Sequence, residues 1–221
     1  MPCRPHLFLF AAAAATVSVV LSLSACGGGA EGDQGGEKIA GADTGDRKRR
    51  SPSPAASDDG IDRPEIKLPK GVENVFEGGE TGDAKKDAVL ADHERMINSI
   101  DEAITVDAKK HPALEFYSAG DALVSAATYV QSFYDAGVTW VGLTRYYDQQ
   151  VTFLKGGAAA VTYCGDETKA YSANRKSGAV KKTPGDSDDY ISYNVRMEKN
   201  TSGVWQATSV TSEEGAQKCQ P

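Results

Sequence analysis

The chain has 221 residues, and its 31 Asp and Glu outnumber its 24 Lys and Arg, which gives a formal net charge of −7. Nucleic-acid binding depends on clustered basic side chains that neutralise phosphates, so this acidic balance excludes a nucleic-acid partner. The length is enough for one domain with a substantial core or for two small domains, and the composition of the N-terminal part favours one.

The first 25 residues have the order of an export signal. A short start with Arg4 precedes an apolar run over residues 7–23. The run leads into the string Leu23-Ser24-Ala25-Cys26, which resembles the lipobox of bacterial lipoproteins. This resemblance implies that residues 1–25 are a lipoprotein signal peptide and that Cys26 is acylated, so that membrane lipid holds the chain on the extracytoplasmic face of the cell membrane. The alternative is an uncleaved anchor, because the run approaches the roughly 18 to 20 residues that cross a bilayer.

Residues 26–70 follow as the lipidated cysteine and a linker that is predicted to be disordered. Residues 27–70 hold few large apolar side chains, so they cannot bury enough surface to offset the entropy of ordering. A flexible chain of this length spans roughly 35 to 40 Å. The basic run at residues 47–50, Arg-Lys-Arg-Arg, fits a solvated linker, a contact with anionic head groups or wall polymer, or a protease site. The folded domain is assigned to residues 71–221.

Helical spacing begins after a capping residue, Thr81 or Asp83. A first helix is predicted over residues 84–104, because apolar side chains recur there at three- and four-residue intervals, namely Val89, Met96, Ile97, Ile100 and Ile104. The string Asp92-His93-Glu94-Arg95 is expected to lie on a solvated face of this helix. A second helix is predicted over residues 119–136, with Gly137 as its stop and with a stripe of Leu123, Ala127, Val130 and Phe133 or Tyr134.

After Gly137 the period of the apolar pattern changes to two, which is typical of strands. Strands are predicted over residues 138–147, 149–155 and 158–164, and residues 166–184 are predicted to be irregular. The last two strands, over residues 190–199 and 204–212, are joined by a turn and form a hairpin. Helices followed by strands indicate an α+β fold with an antiparallel sheet packed against the helices.

This order of elements resembles a known fold. Two helices and a glycine precede long strands that contain Thr144-Arg145-Tyr146-Tyr147, Val151-Thr152-Phe153 and Val204-Trp205-Gln206. Together they are similar to the nuclear transport factor two-like fold and, within it, to secreted actinobacterial lipoproteins of unknown role. The resemblance implies a cone in which N-terminal helices pack on a curved antiparallel sheet, whose concave face houses a pocket, a catalytic site or a partner surface.

The chain has four cysteines, and processing accounts for two of them. Cys3 leaves with the leader and Cys26 carries the lipid. Cys164 and Cys219 remain, and they are predicted to form a disulfide because thiols are not kept reduced outside the cytosol. A redox or metal site is the alternative, but there is no Cys-x-x-Cys pair and no histidine near either cysteine.

The sequence holds no nucleophile elbow, no His-Glu-x-x-His pair and no phosphate-binding glycine loop. We therefore predict no catalytic residue, no cofactor and no metal. The expected function is a non-enzymatic binding or adaptor domain in the cell envelope, with an envelope protein or a small hydrophobic ligand as its partner. The predicted lining of a pocket is Trp140, Tyr146, Tyr163, Tyr193 and Trp205.

Two alternatives stay open. One is a pocket enzyme of the isomerase or cyclase type, in which a carboxylate and tyrosines act within an apolar cavity. Its candidate residues are Tyr146, Tyr147, Asp148 and Tyr163. A buried carboxylate that faces a cavity would favour this enzyme, and a cavity filled with side chains would contradict it. The other alternative is a structural spacer.

Overall fold

After one short strand, the secondary structure follows the predicted order of helices before strands. The computed structural model describes residues 59–108 and 110–221. Its elements are β1 (Val72–Phe76), α1 (Ala84–Thr105), α2 (Pro112–Tyr117), α3 (Gly120–Asp135), β2 (Val138–Phe153), β3 (Ala159–Asn174), β4 (Val180–Lys181), β5 (Tyr190–Lys199) and β6 (Trp205–Glu213). The predicted signal peptide, Cys26 and the basic run at residues 47–50 lie outside the described residues. In the described part of the chain, no helix is both long enough and apolar enough to cross a membrane.

The strands form one sheet, and the three helices lie N-terminal to its long strands. The strand order is β1-β2-β3-β5-β6, with β4 paired to the end of β3. All pairs are antiparallel except β1 and β2, which run parallel. Register shifts interrupt β2 against β3 twice and β5 against β6 once, and such bulges bend a sheet. The predicted α+β fold, with helices packed on a curved, mainly antiparallel sheet, is confirmed.

Helix α1 is buried on more than one side. Its N-cap, Asp83, accepts hydrogen bonds from the backbone amides of Lys85 and Lys86. At its other end Arg175 donates to the carbonyl of Ile104 at 2.6 Å, while its guanidinium stacks 3.9 Å from the ring centre of Tyr134. The apolar stripe predicted for this helix is buried against the sheet. In α3 the buried side chains are Ala122, Ala126, Val130 and Phe133, so the predicted Ala127 is instead exposed.

The expectation that Asp92-His93-Glu94-Arg95 lies on a solvated helix face is wrong. All four residues are buried, and His93 is inaccessible to solvent. One carboxylate oxygen of Asp92 accepts from the backbone amide of Trp205 at 3.0 Å, and the other accepts from Arg95 at 2.9 Å. Arg63 also contacts Asp92, at 3.4 Å. Burial lowers the pKa of His93 to about 3, so its imidazole is neutral and packs as a ring.

Residues from the last part of the predicted linker pack on the domain. Ile61, Ile66 and Leu68 are partly buried against the core. Arg63 forms a bidentate ion pair with Asp59, with N–O distances of 2.6 and 2.8 Å, in addition to its contact with Asp92. The Arg63 guanidinium lowers the pKa of Asp59 to about 2. The folded part of the chain therefore includes residues before Gly71.

Strands β2 and β3 are longer than the sequence pattern indicated. Residues 138–153 form one strand, in which Asp148 adopts a positive φ of 53° at a bulge. The prediction of irregular structure after residue 166 is wrong as far as Asn174, because β3 continues there against β2. The short helix α2 was not predicted. The C-terminal hairpin is confirmed, with β5 and β6 antiparallel.

The predicted disulfide between Cys164 and Cys219 is confirmed, with a Cα–Cα distance of 5.5 Å. It fastens the C-terminal turn to β3. The hydroxyl of Tyr147 donates to the carbonyl of Cys219, and Ala216 is buried in the same small cluster. The tail is thus held by a covalent bond, a hydrogen bond and apolar packing.

Replacing both Cys164 and Cys219 by alanine is expected to lower the free energy of unfolding by about 4 kcal/mol, because the bond closes a long loop. The two cysteines are 55 residues apart. Urea denaturation of the variant and of the wild type measures the difference, and wild type treated with dithiothreitol should match the variant. Equal midpoints for the oxidised wild type and the variant would contradict the stabilising role.

Candidate functional site

A cavity of about 60 Å³ lies between helices α1 and α3 and one face of the sheet. A buried water needs roughly 10 to 15 Å³ of such space, so the cavity has room for several waters or a small organic group. Its lining is Met96, Ile97, Ile100 and Asp101 from α1, Tyr129 from α3, Trp140, Thr144 and Tyr146 from β2, Tyr163, Glu167 and Ala170 from β3, Tyr193 from β5 and Val210 from β6.

The structure brings together four of the five side chains predicted to line a pocket, namely Trp140, Tyr146, Tyr163 and Tyr193. The fifth, Trp205, does not line this cavity. Its ring packs 6.3 Å from the ring centre of Phe153, and the Lys199 ammonium lies 5.9 Å from its ring centre. Trp205 begins β6 beside Asp92, five residues before the cavity-lining Val210, so the geometry gives it a packing role at the start of the strand.

Two residues of the enzyme alternative also lie elsewhere. Asp148 is exposed at the bulge in β2. Tyr147 follows Tyr146 in the same strand and therefore faces the opposite side of the sheet, where it contacts the C-terminal turn. The assignment of Asp148 as the carboxylate of a pocket is wrong, because the bulge turns it into solvent.

Contacts with one another and with neighbouring rings hold the aromatic side chains of the cavity in place. The rings of Tyr163 and Tyr193 stack at 4.7 Å, and Tyr146 meets Tyr163 edge-on at 5.9 Å. Phe76 of β1 stacks on Tyr146 at 5.0 Å, and His93 packs against Tyr163 at 4.6 Å. These contacts fix ring positions, since aromatic pairs favour such offset and edge-to-face geometries.

Asp101 is the first of two buried carboxyl groups in the cavity. It lies on the buried side of α1 next to Ile100, and its Oδ2 accepts a hydrogen bond of 2.7 Å from the Asn74 side chain. The Trp140 side chain also bonds to it. Burial raises the pKa of Asp101 to about 7, although the bonds from Asn74 and Trp140 act in the opposite direction.

Glu167 is the second buried carboxyl group in the cavity. It is buried, and it accepts a hydrogen bond of 3.3 Å from the Tyr193 hydroxyl. A register shift between β2 and β3 occurs beside it, between Leu143 and Arg145, and this bulge lets both Glu167 and Ala170 line the cavity. Burial raises the pKa of Glu167 to about 8, and the nearby charge of Asp101 acts in the same direction.

Among the described residues that line it, the cavity therefore combines two acids with no base. Near neutral pH both carboxyls can gain or lose a proton, so they can donate a hydrogen bond, accept a proton or face a positive charge. Burial also raises the pKa of the Tyr146, Tyr163 and Tyr193 hydroxyls, which stay protonated. Within residues 59–108 and 110–221, no group of three or more His, Cys, Asp or Glu side chains is placed to hold a metal ion.

Neither carboxyl was predicted from the sequence, although each lies at a position that the apolar pattern of its helix or strand marks as buried. Asp101 is four residues after Ile97 and three before Ile104, which places it on the apolar stripe of α1. Glu167 continues the alternation of Val161, Tyr163 and Gly165 along β3. A polar residue at a core position of either pattern is the indication of a functional group.

No protein-family model matches this chain, and no curated protein matches it. Among solved structures, the intermembrane space region of the chloroplast protein ARC6 is 13% identical, with a TM-score of 0.42, over 60% of this chain and 97% of that chain. A ketosteroid isomerase-like protein from Erwinia carotovora atroseptica SCRI1043 is 15% identical, with a TM-score of 0.41, over 57% of this chain and 93% of that chain.

Stability is expected to fall as the pH rises from about 5 to about 9. Both cavity acids have a pKa in the folded state, about 7 for Asp101 and about 8 for Glu167, that is above their ordinary values. The folded state thus favours the protonated forms, and this contribution is complete below about pH 4 and is lost as the pH rises through the folded-state values.

The double variant Asp101→Asn, Glu167→Gln should lose most of this pH dependence, and thermal unfolding followed by circular dichroism measures it. Two other buried groups then act in opposite directions. Burial raises the pKa of Glu94 to about 7, which leaves a smaller fall in stability with pH, whereas burial lowers the pKa of His93 to about 3, which makes stability rise with pH up to about 6.5. The same slope in wild type and double variant would show that the two acids do not titrate in the cavity.

Proposed function

We propose that the domain is a non-enzymatic binding domain of the cell envelope that holds a small, mainly apolar molecule in the cavity. The observation that carries this proposal is the cavity itself, which the side chains of the concave face leave unfilled. Ligand sites typically have apolar and aromatic walls with a few convergent polar groups. Here the walls are rings and aliphatic side chains, and the polar groups include Asp101, Glu167 and Thr144.

Access to the cavity is from the side where its lining is only partly buried. Tyr129, Ala170 and Val210 are the lining residues of α3, β3 and β6 with intermediate exposure, whereas Asp101 and Glu167 are buried. A ligand would place its polar end at the two carboxyls and its apolar body between the rings. This arrangement suits a binding domain that takes up a molecule from its surroundings.

The envelope location is the part of the proposal that rests on the sequence. The lipobox-like string before Cys26 supports export and acylation, and the Cys164–Cys219 disulfide suits an oxidising compartment outside the cytosol. We further propose that the domain is a nuclear transport factor two-like cone of the kind found in secreted actinobacterial lipoproteins. The order of helices and bent antiparallel strands supports this proposal.

Full-length protein extracted from the membranes of its own cells is expected to carry a small molecule in native mass spectrometry, and to lose this mass on denaturation. Ala170→Trp should remove the extra mass, because the indole would occupy the partly exposed side of the cavity. Ala160→Trp is the matched control, since residue 160 lies on the same strand but is not among the lining residues. Extra protein mass would instead favour an envelope adaptor, and no extra mass would contradict ligand binding.

Replacing Cys26 by alanine is expected to move the protein from the membrane fraction to the soluble fraction of the cells that produce it. Acyl chains contribute about 0.8 kcal/mol for each buried methylene, and two or more chains hold a protein firmly. Cys3→Ala is the matched control, because Cys3 lies within the predicted signal peptide. Retention of the Cys26→Ala protein in the membrane fraction would contradict lipid anchoring at this residue and favour an uncleaved anchor.

A second candidate function is acid–base catalysis in the same cavity. The specific observation in its favour is that two buried carboxyls, Asp101 and Glu167, line an unfilled cavity together with tyrosines. A carboxyl with a pKa near neutrality is suited to move a proton to or from a carbon next to a carbonyl. Of the four residues predicted for such an enzyme, Tyr146 and Tyr163 line the cavity, whereas Tyr147 and Asp148 do not.

If this candidate is right, the protein should accelerate exchange of the α-protons of cyclopentanone with deuterium, observed by proton NMR. Asp101→Asn and Glu167→Gln should each lower the rate by about a hundredfold, as loss of a general base does. Asp107→Asn is the control, because Asp107 is exposed beyond the end of α1. A rate equal to that of buffer for the wild type would rule out this chemistry for small ketones.

A further inference from the structure

We propose that the cavity selects an organic cation, whose ammonium group lies between the carboxyls of Asp101 and Glu167 and the surrounding aromatic rings. This inference rests on the proposed ligand-binding function and adds the chemical class of the ligand. It is carried by the make-up of the lining, which combines, among the residues that the structure describes, two acids, five aromatic side chains and no Lys, Arg or His.

Among the described residues, no cation pairs with the two carboxyls of the cavity. A buried carboxylate is costly unless a cation or strong hydrogen-bond donors compensate it. The described hydrogen-bond partners of the two carboxyls are neutral, namely the Asn74 amide and the Trp140 indole for Asp101, and the Tyr193 hydroxyl for Glu167. A ligand with one positive charge would balance one of the two carboxylates.

Two acids in one cavity also disfavour each other's ionised form. The charge of Asp101 helps to raise the pKa of Glu167, in addition to the larger effect of burial. A neutral ligand leaves this repulsion in place, whereas a cation relieves it and stabilises both ionised carboxyls. The gain on binding is therefore specific to a positive charge.

The aromatic lining provides the second attraction. A cation is drawn to the electron-rich faces of Tyr and Trp rings, and sites for quaternary ammonium ions are commonly built from such rings. The ring contacts of Tyr146, Tyr163 and Tyr193 with one another fix this part of the wall before a ligand arrives. The volume of about 60 Å³ suits a compact ammonium head group, with any longer part of the ligand extending past Tyr129 and Ala170.

The test compares choline with 3,3-dimethylbutan-1-ol, in which carbon replaces the charged nitrogen and the shape is unchanged. Isothermal titration calorimetry on the full chain is expected to give a Kd for choline that is about tenfold or more below that for the alcohol. Asp101→Asn and Glu167→Gln should each weaken choline binding by about tenfold and leave alcohol binding nearly unchanged. Both substitutions keep the side-chain shape, and circular dichroism checks that the variants fold.

Glu213→Gln is the control for loss of one negative charge, because Glu213 is exposed at the end of β6, and it should leave both Kd values unchanged. If the alcohol binds as tightly as choline, the cation proposal is wrong and ligand binding in the cavity stands. If neither probe binds, the cation proposal is wrong, and native mass spectrometry of the extracted protein decides separately whether the cavity holds another ligand. Preferential choline binding that neither carboxyl variant weakens would place the cation elsewhere and overturn the proposal.

Discussion

The fold depends on one buried carboxylate, that of Asp92, which joins three parts of the chain that are distant in sequence. It accepts hydrogen bonds from the backbone amide of Trp205 at the start of β6, from the guanidinium of Arg95 within α1, and from the guanidinium of Arg63 in the N-terminal segment. Removing one partner of such a buried group leaves an uncompensated charge, which costs far more than a surface ion pair contributes. Helix α1 is fixed across the sheet in this way, and the cavity wall that it carries, from Met96 to Asp101, is fixed with it.

The cavity lies between α1, which Asp92 holds, and a sheet that is interrupted by bulges. Bulges in β2 and β3 break the strict alternation of side chains, so residues three apart, Glu167 and Ala170, line the same space. The polar groups of the site thus come from two kinds of position, a core position of a helix and a bulge in a strand. Packing alone would favour an apolar side chain at each of these positions. A buried carboxyl there costs free energy, and such costs are typical of functional sites.

Much of the fold could be predicted because local sequence patterns determine it. The apolar stripe of α1, the alternation of Ile191, Tyr193, Val195 and Met197 in β5, and the even pair of cysteines in an exported domain each indicated one structure. The burial of Asp92 could not be predicted, because it depends on partners 29 and 113 residues away in the chain. Residues 166–174 lacked a clear pattern, and their pairing with β2 overrides their local preference. Four aromatic residues of the cavity were predicted from their residue type and their occurrence in strands. Trp205 was predicted in the same way but does not line the cavity, because the pattern does not tell which part of a strand lies next to the cavity.

The contact of Arg63 with Asp92 also has a mechanical meaning. Any tension that arrives from the N-terminal side of residue 59 meets the ion pairs of Arg63 and the packing of Ile61 before it reaches β1. Because β1 lies at the edge of the sheet and runs parallel to β2, a direct pull on it would load the hydrogen bonds that hold the edge. The Arg63 attachment joins this segment to Asp92 in α1, so a pull on residue 59 would load the ion pairs of Arg63 before the hydrogen bonds of β1.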